Sequence, residues 1–246
     1  MYEPRTYRDK IIESRFRSFF IEVEESDLWI GLNGQGIDEE EHNKILNYVH
    51  FLRKTLKDYI NDHPEFLISH APLKVLKGDP DIVKLMKNAG IAAGTGPMAA
   101  VAGLVSMKTC LMIGELYPES EIIVENGGDV FMKIKDDLLV NVFPSENSYF
   151  KDLALRIPGK EYNYLSVCSS SGVFGHSFSY GKADLVSVFS GDACLSDAWA
   201  TSLANRIITK DDLENLHHEL PEGIIAILAV KDDKLFYRGP FEFAKI

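Results

Sequence analysis

The chain is poor in cysteine, in positive charge and in the composition shifts that separate domains. Its three cysteines, Cys110, Cys168 and Cys194, form no C-x-x-C pair and are odd in number. That excludes a disulfide framework and fits a reducing compartment. Lysine and arginine total 26 against 37 aspartates and glutamates, for a net charge of −11. Such a surface repels nucleic acid backbones and anionic membranes, so neither is expected as a partner. The one basic concentration, Arg5, Arg8, Lys10, Arg15 and Arg17, is interleaved with Glu3, Asp9 and Glu13. It reads either as a mixed-charge edge strand or as a contact for a ligand phosphate. No run approaches the roughly 20 apolar residues of a bilayer span. The opening MYEPRTYRDK has no apolar signal core, so the expected location is cytoplasmic. Linkers, low-complexity tracts and internal repeats are also missing. One compact unit over residues 1–246 is expected.

What is present is enough to build a core: 46% of 246 residues are hydrophobic. Residues 16–32 alternate as a hairpin with EESD at its turn. Residues 38–61 carry Ile45, Leu46, Val49, Leu52, Leu56 and Ile60 at helical spacing behind an Asp38/Glu41 capping box. A short helix fits 80–88, and a buried helix fits the apolar run ending near Tyr117. Strands fit 121–134 (broken by Asn-Gly-Gly), 138–143, 164–172 and 183–191, and a closing pair fits 223–230 and 234–239. Hairpin signals outnumber β-α-β alternation. The predicted class is therefore α+β, with mostly antiparallel sheets packed against helices.

Four small-residue segments could carry chemistry. The first is GIAAGTGPMAA, 90–100, where Gly94, Thr95 and Gly96 let backbone approach a ligand and Pro97 suits a first helical turn. Without a Gly-Lys-Ser/Thr ending it is not a Walker A loop. Tight helix packing is its plain alternative. The second is VENGGDVF, 124–131, a hairpin turn that could present Asn126, Gly128 or Asp129 to a ligand. The third, CSSSGVFGHSFSYGKAD, 168–184, crowds Ser170, Ser171, Gly172, His176 and Lys182 into a loop richer in hydrogen-bonding groups than a plain connection needs. His176 could act as a general base or a stacking surface. Lys182 could hold Asp184 or a ligand phosphate. A serine-hydrolase reading finds no G-x-S-x-G elbow and no acid partner. Cys168 ends a buried strand and makes a poor nucleophile. The fourth is SDAWATSLANRI, 196–207, read as a helix. Asp197 and Thr201, at i and i+4, share one helix face. They are either a favourable acid at a helix start or two oxygen ligands of the kind Mg²⁺ takes. His217 and His218 in ENLHHEL read as the surface of a polar helix.

Together GPMAAVAG (96–103), VENGGDVF (124–131), SSGVFGHSFSYGKAD (170–184) and SDAWATSLAN (196–205) stand in the order that resembles the UPF0280 branch of the ApbE-like superfamily. That superfamily contains flavin transferases, which use FAD and Mg²⁺ to attach FMN to a protein threonine. The resemblance implies that Asp197 and Thr201 are metal ligands, with the main-chain carbonyl of Ala92 completing the set from a GIAKG-like loop. It implies that Gly128 and Asp129 lie by the flavin. Two departures stand out. Ala93 replaces the loop lysine, and the stretch from His176 to Gly181 is two residues shorter than the transferase pattern and lacks its acid and proline. Transfer to a protein acceptor is less implied than binding of FAD, FMN or a nucleotide-like ligand. Two alternatives stay open: a non-catalytic flavin or metabolite carrier, and a cofactor-pathway enzyme acting on another phosphorylated substrate. The glycine-alanine helices suit either a core or a subunit interface, which leaves a homodimer open.

Overall fold

Period-two hydrophobic strands joined by tight turns build one large antiparallel sheet, and helical stripes cover one of its faces. The computed structural model describes residues 15–34, 36–141, 149–172, 181–216 and 219–245. Strands β1 (Phe16–Val23) and β2 (Ser26–Asn33) form the expected hairpin. Helix α1 (Glu39–Asp62) opens on the capping box. The Asp38 carboxylate accepts from the Glu41 N–H at 2.8 Å, and Glu41 accepts from the Asp38 N–H at 3.0 Å. Ile45, Val49, Leu52, Leu56 and Tyr59 form its buried stripe. Leu46 and Ile60 pack at its margin.

After the single turn α2 (Glu65–Ile68) comes α3 (Asp81–Ala93), which is longer than its sequence suggests. Residues 90–93 read as loop but are its last turn, since nothing breaks the helix until Gly94 takes φ 72° and ends it. A 3-10 turn, Pro97–Ala100, leads into α4 (Val101–Leu116). By length and composition alone 97–116 could cross a bilayer, which the sequence reading did not credit; most of that stretch is buried inside this fold. A buried network also holds α3: Lys87 Nζ donates to Asp79 and to the Tyr59 hydroxyl, each at 2.8 Å, and Tyr59 donates to Asp79 at 2.7 Å.

The remaining strands are β3 (Ile122–Asn126), β4 (Asp129–Lys133), β5 (Leu138–Asn141), β6 (Leu153–Ile157), β7 (Leu165–Ser170), β8 (Leu185–Ser190), β9 (Ile224–Lys231), β10 (Lys234–Arg238) and β11 (Glu242–Lys245), with α5 (Ala193–Ala204) between β8 and β9. The large sheet runs β1-β2-β3-β4-β7-β8-β9-β10, the small one β11-β6-β5, and their pairings are antiparallel. The helices pack on one face of the large sheet around Leu28, Val124, Phe131, Cys168 and Val188. The small sheet covers the other, where Leu155 and Ile157 meet Val167, Phe189 and Leu228. The α+β class and the antiparallel sheets therefore hold. β6 and β11 were not foreseen.

Helix α5 starts at Ala193 rather than Ser196. Its N-cap is Asp192, whose carboxylate accepts from the Cys194 N–H at 2.8 Å and the Leu195 N–H at 3.3 Å. The polar helix read over ENLHHEL is instead a 3-10 turn over Lys210–Asn215, and the chain is extended at Leu216. His217 and His218 lie outside the described residues.

Candidate metal and ligand site

Two carboxylates, distant in sequence, are enclosed together between the large sheet and the helices. Asp129 is placed by its turn. Gly127 and Gly128 both take positive φ, 67° and 98°, which only glycine adopts cheaply and which suits a two-residue hairpin. The turn sets Asn126 directly opposite Asp129 in the β3–β4 register, so their side chains stand side by side on one face. The β4–β7 pairing has Val130 opposite Val167, and beyond it the Ser169 N–H turns to the Asp129 carboxylate at 3.2 Å. Asn126 Nδ2 donates to the Ala102 carbonyl at 3.3 Å, tying the turn to the start of α4.

Asp197 comes from α5. It sits beyond the first turn, so the helix-start reading of this residue fails: Asp192 has that role. Instead Asp197 reaches across to α4, where its Oδ2 accepts from the Gly103 N–H at 2.9 Å. The nearby Ala102 N–H also favours the charged form of this carboxylate. Gly103 permits the approach. A Cβ there would lie 2.3 Å from the Ala193 carbonyl oxygen and 2.9 Å from the Asp197 Cβ. Asp197 thus caps the N-terminus of another helix.

The electrostatics of the pair are unusual. Burial pushes the Asp197 carboxyl up to about 7, against the lowering effect of its two backbone donors. Burial also raises Asp129, and the neighbouring Asp197 charge raises it further. The two acids therefore titrate as a pair. No ion pair among the described residues reaches either acid. Cys168 and Cys194 lie beside them, and burial raises both thiols well above the ordinary range. Cys168 is therefore no nucleophile.

Two further predicted residues carry buried hydroxyls that find no partner among the described residues, Thr95 Oγ1 and Ser170 Oγ. Buried hydroxyls are ordinarily paired, so these two stand out among the predicted residues. Ser170 follows Cys168 by two on β7 and so faces the helices as Cys168 does. Thr201, half-buried, lies one turn after Asp197 on α5. The end of α3, with Ala92, Gly94, Thr95 and Gly96, is brought to α5 through a 2.6 Å bond from the Ser202 hydroxyl to the Ala93 carbonyl. Ser171 and Gly172 leave β7, and the Gly172 N–H donates to the Ala183 carbonyl at 2.9 Å. Lys182 is exposed, and Asp184 is held by Lys231 at 3.3 Å rather than by Lys182. His176 lies outside the described residues. Gly103 and the Ala102 N–H were missed; only a glycine inside an apolar helical run hinted at them.

The residues fit a divalent cation by donor chemistry. Two buried carboxylates without a cationic partner, a hydroxyl one turn away and an uncovered helix-end carbonyl are hard oxygen donors. No group of three His, Cys, Asp or Glu suited to a metal occurs among the described residues, so further ligands would be hydroxyl, carbonyl or substrate oxygens.

A family model described as AbpE bacteria matches residues 9–216. A UPF0280 protein of Methanococcus aeolicus is 38% identical over 191 residues, covering 76% of this chain and 77% of its own. One from Methanocaldococcus jannaschii is 32% identical over 223 residues, covering 88% of each chain. The chain belongs to the UPF0280 family of the ApbE-like superfamily. Solved structures carry the same fold at low identity. The Pseudomonas stutzeri flavinyl transferase ApbE, apo form, gives a TM-score of 0.56 at 11% identity over 91% of this chain and 94% of that one. The flavin transferase ApbE from Vibrio cholerae gives 0.55 at 10% over 91% and 97%. This UPF0280 chain therefore shares the ApbE fold.

Proposed function

We propose that this protein is a Mg²⁺-dependent enzyme that binds FAD and cleaves its pyrophosphate, passing FMN to water or to an acceptor hydroxyl. The observation that carries the reading is the enclosed pair Asp129 and Asp197, two acids held together with no cationic side chain to balance them. Solved proteins of this fold that are flavin transferases by name support the choice of ligand. A magnesium ion at these acids would neutralise charge on pyrophosphate oxygens and on departing AMP.

The chain's own residues divide the remaining work. Asp197, steadied by the Gly103 N–H, and Thr201 present oxygens from one rigid helix. Asp129 and Asn126 present the sheet side. The unpartnered hydroxyls of Thr95 and Ser170 would bond ligand oxygens, and backbone N–H groups near Gly94, Gly96 and Ser171 would add donors. In the reaction the acceptor oxygen bonds to the FMN phosphorus, the bond to the AMP oxygen breaks, and the acceptor proton passes to a base. His176 is our choice for that base.

A second reading has its own observation. Asp197 already caps α4, so the acid could be structural and the protein a carrier of flavin or another metabolite. Titration of the purified protein with FAD, with and without Mg²⁺, separates the two. Flavin fluorescence brightens when FMN is released from the stacked, dim FAD. Metal-dependent binding or brightening that is lost in Asp197→Asn supports the enzyme. Asn keeps an oxygen to accept the Gly103 N–H, so FAD binding indifferent to both Mg²⁺ and Asp197→Asn supports the carrier and refutes the enzyme.

A further inference from the structure

Helix α3 ends with its carbonyls unequally used. The last carbonyls of a helix lack intrahelical partners. Here the Gly90 carbonyl takes both the Gly94 and the Thr95 N–H groups. The Ala93 carbonyl takes the Ser202 hydroxyl at 2.6 Å, between buried groups 109 residues apart in sequence. The Ala92 carbonyl accepts nothing from the described residues, and it sits at the negative end of the helix dipole.

Ser202 departs from ordinary helical behaviour. A helical serine commonly bonds back to the carbonyl one turn before it or points to water. This one is buried, donates across to another helix, and itself accepts from Arg206 Nη2 at 3.0 Å. The Arg206 guanidinium lies 5.7 Å from the centre of the Trp199 ring. The hydroxyl is thus oriented from one side by an arginine and spent on α3 on the other. It follows Thr201 directly and lies on the same short helix as Asp197.

We propose that Ser202 is a positioning residue for the cation site. Its bond to the Ala93 carbonyl fixes the end of α3 against α5, which holds the adjacent Ala92 carbonyl in register with Asp197 and Thr201. This rests on the metal reading above. Among the described residues this bond is a polar tie between the α3 terminus and α5, and a hydrogen bond, unlike packing, sets a direction for a carbonyl. Outer-shell groups of this kind typically change metal affinity about 10–100-fold when removed.

The test uses Mn²⁺ as a paramagnetic probe, with free ion counted by electron paramagnetic resonance on the full chain. Ser202→Ala should bind Mn²⁺ at least about 10-fold more weakly than wild type, while melting as one cooperative transition in EDTA. Ser202→Thr, which keeps the donor, should recover most of the affinity. If Ser202→Ala is too unstable to purify, Ser202→Cys keeps the volume, loses the strong donor and should show the same weakening. A folded Ser202→Ala or Ser202→Cys protein that binds Mn²⁺ as wild type does would overturn the proposal while the metal reading stands. Wild-type protein that binds no Mn²⁺ would overturn both.

Discussion

Replacing Asp197 by asparagine should make the metal-free protein more stable as pH rises. The wild-type carboxyl sits near 7 in the folded chain against 3.8 ordinarily. Between those values the folded state holds a proton that the unfolded state has released, so stability falls as pH rises. The contribution is fully present below pH 3.8 and gone above about 7. At 1.36 kcal/mol per unit, the loss is about 4 kcal/mol. For a chain of this size that corresponds to a melting shift of about 8–16 °C. Asparagine has the same shape, still accepts the Gly103 N–H, and does not titrate. Burial and the Asp197 charge both raise the Asp129 carboxyl as well. The assay is thermal melting in EDTA from pH 4 to 7.5, read as the variant minus wild type. Subtraction cancels the surface carboxylates whose values are lowered by ion pairs, such as Glu24 and Glu119. The difference should widen steadily with pH. A difference that stays flat would mean that Asp197 ionises like an exposed acid, and the enclosed-pair argument would collapse.

Three other perturbations follow from the same geometry. Gly103→Ala forces a methyl to 2.3 Å from the Ala193 carbonyl oxygen. α4 and α5 must separate, and we expect about 1–3 kcal/mol of destabilisation by urea unfolding together with weaker metal binding. Lys87→Met leaves Asp79 buried without its cation; a loss of about 3–5 kcal/mol is expected by the same method. Gly128→Val places a β-branched residue at φ 98°; we expect a cost of about 1–3 kcal/mol and weaker FAD binding in the fluorescence titration, since the turn sets Asp129.

Local chemistry made much of this molecule legible. The Asp38/Glu41 box, the stripe from Ile45 to Leu56 and the Asn126–Asp129 turn are specified by neighbours within a few residues, and each stands as read. Errors fell where local signals are weak or overridden. α3 runs through Gly90 because glycine inside a helix is only mildly unfavourable and Gly94 is the better stop. α5 begins at Asp192 because that side chain can reach two N–H groups, although Ser196 offers an equally plausible cap. The Ser196 hydroxyl bonds Ser166 at 2.6 Å and Ser190 at 2.7 Å inside the core, a use that no local pattern announces. β6 and β11 are five and four residues long and find their pairing only across the chain. Thr201 could be set beside Asp197 from the sequence because one helix carries both. Asp129 could not, because it lies on a different element 68 positions earlier and meets Asp197 only when α5 packs over β4 and β7.

A cap and a metal ligand make different demands on Asp197, and Asp129 tells them apart. A cap needs only an acceptor oxygen, which asparagine or serine supplies without a buried charge. Setting a second acid beside it puts Asp129 next to the Asp197 charge, which raises the Asp129 carboxyl and costs stability at neutral pH, a cost that capping does not require. The proposed shared cation would remove that cost and make the two acids one unit. The melting shift produced by Mg²⁺ at pH 8 should then vanish in Asp129→Asn, vanish in Asp197→Asn, and be no smaller in the double variant than in either single one. Wild type should gain about 2.7 kcal/mol at a hundredfold excess over Kd, enough to read each of the four proteins clearly. Complete loss in each single variant is the signature of residues acting on one ligand, whereas partial losses that add across the pair belong to separate sites. Additive losses would part the two acids and return Asp197 to the role of a cap for α4.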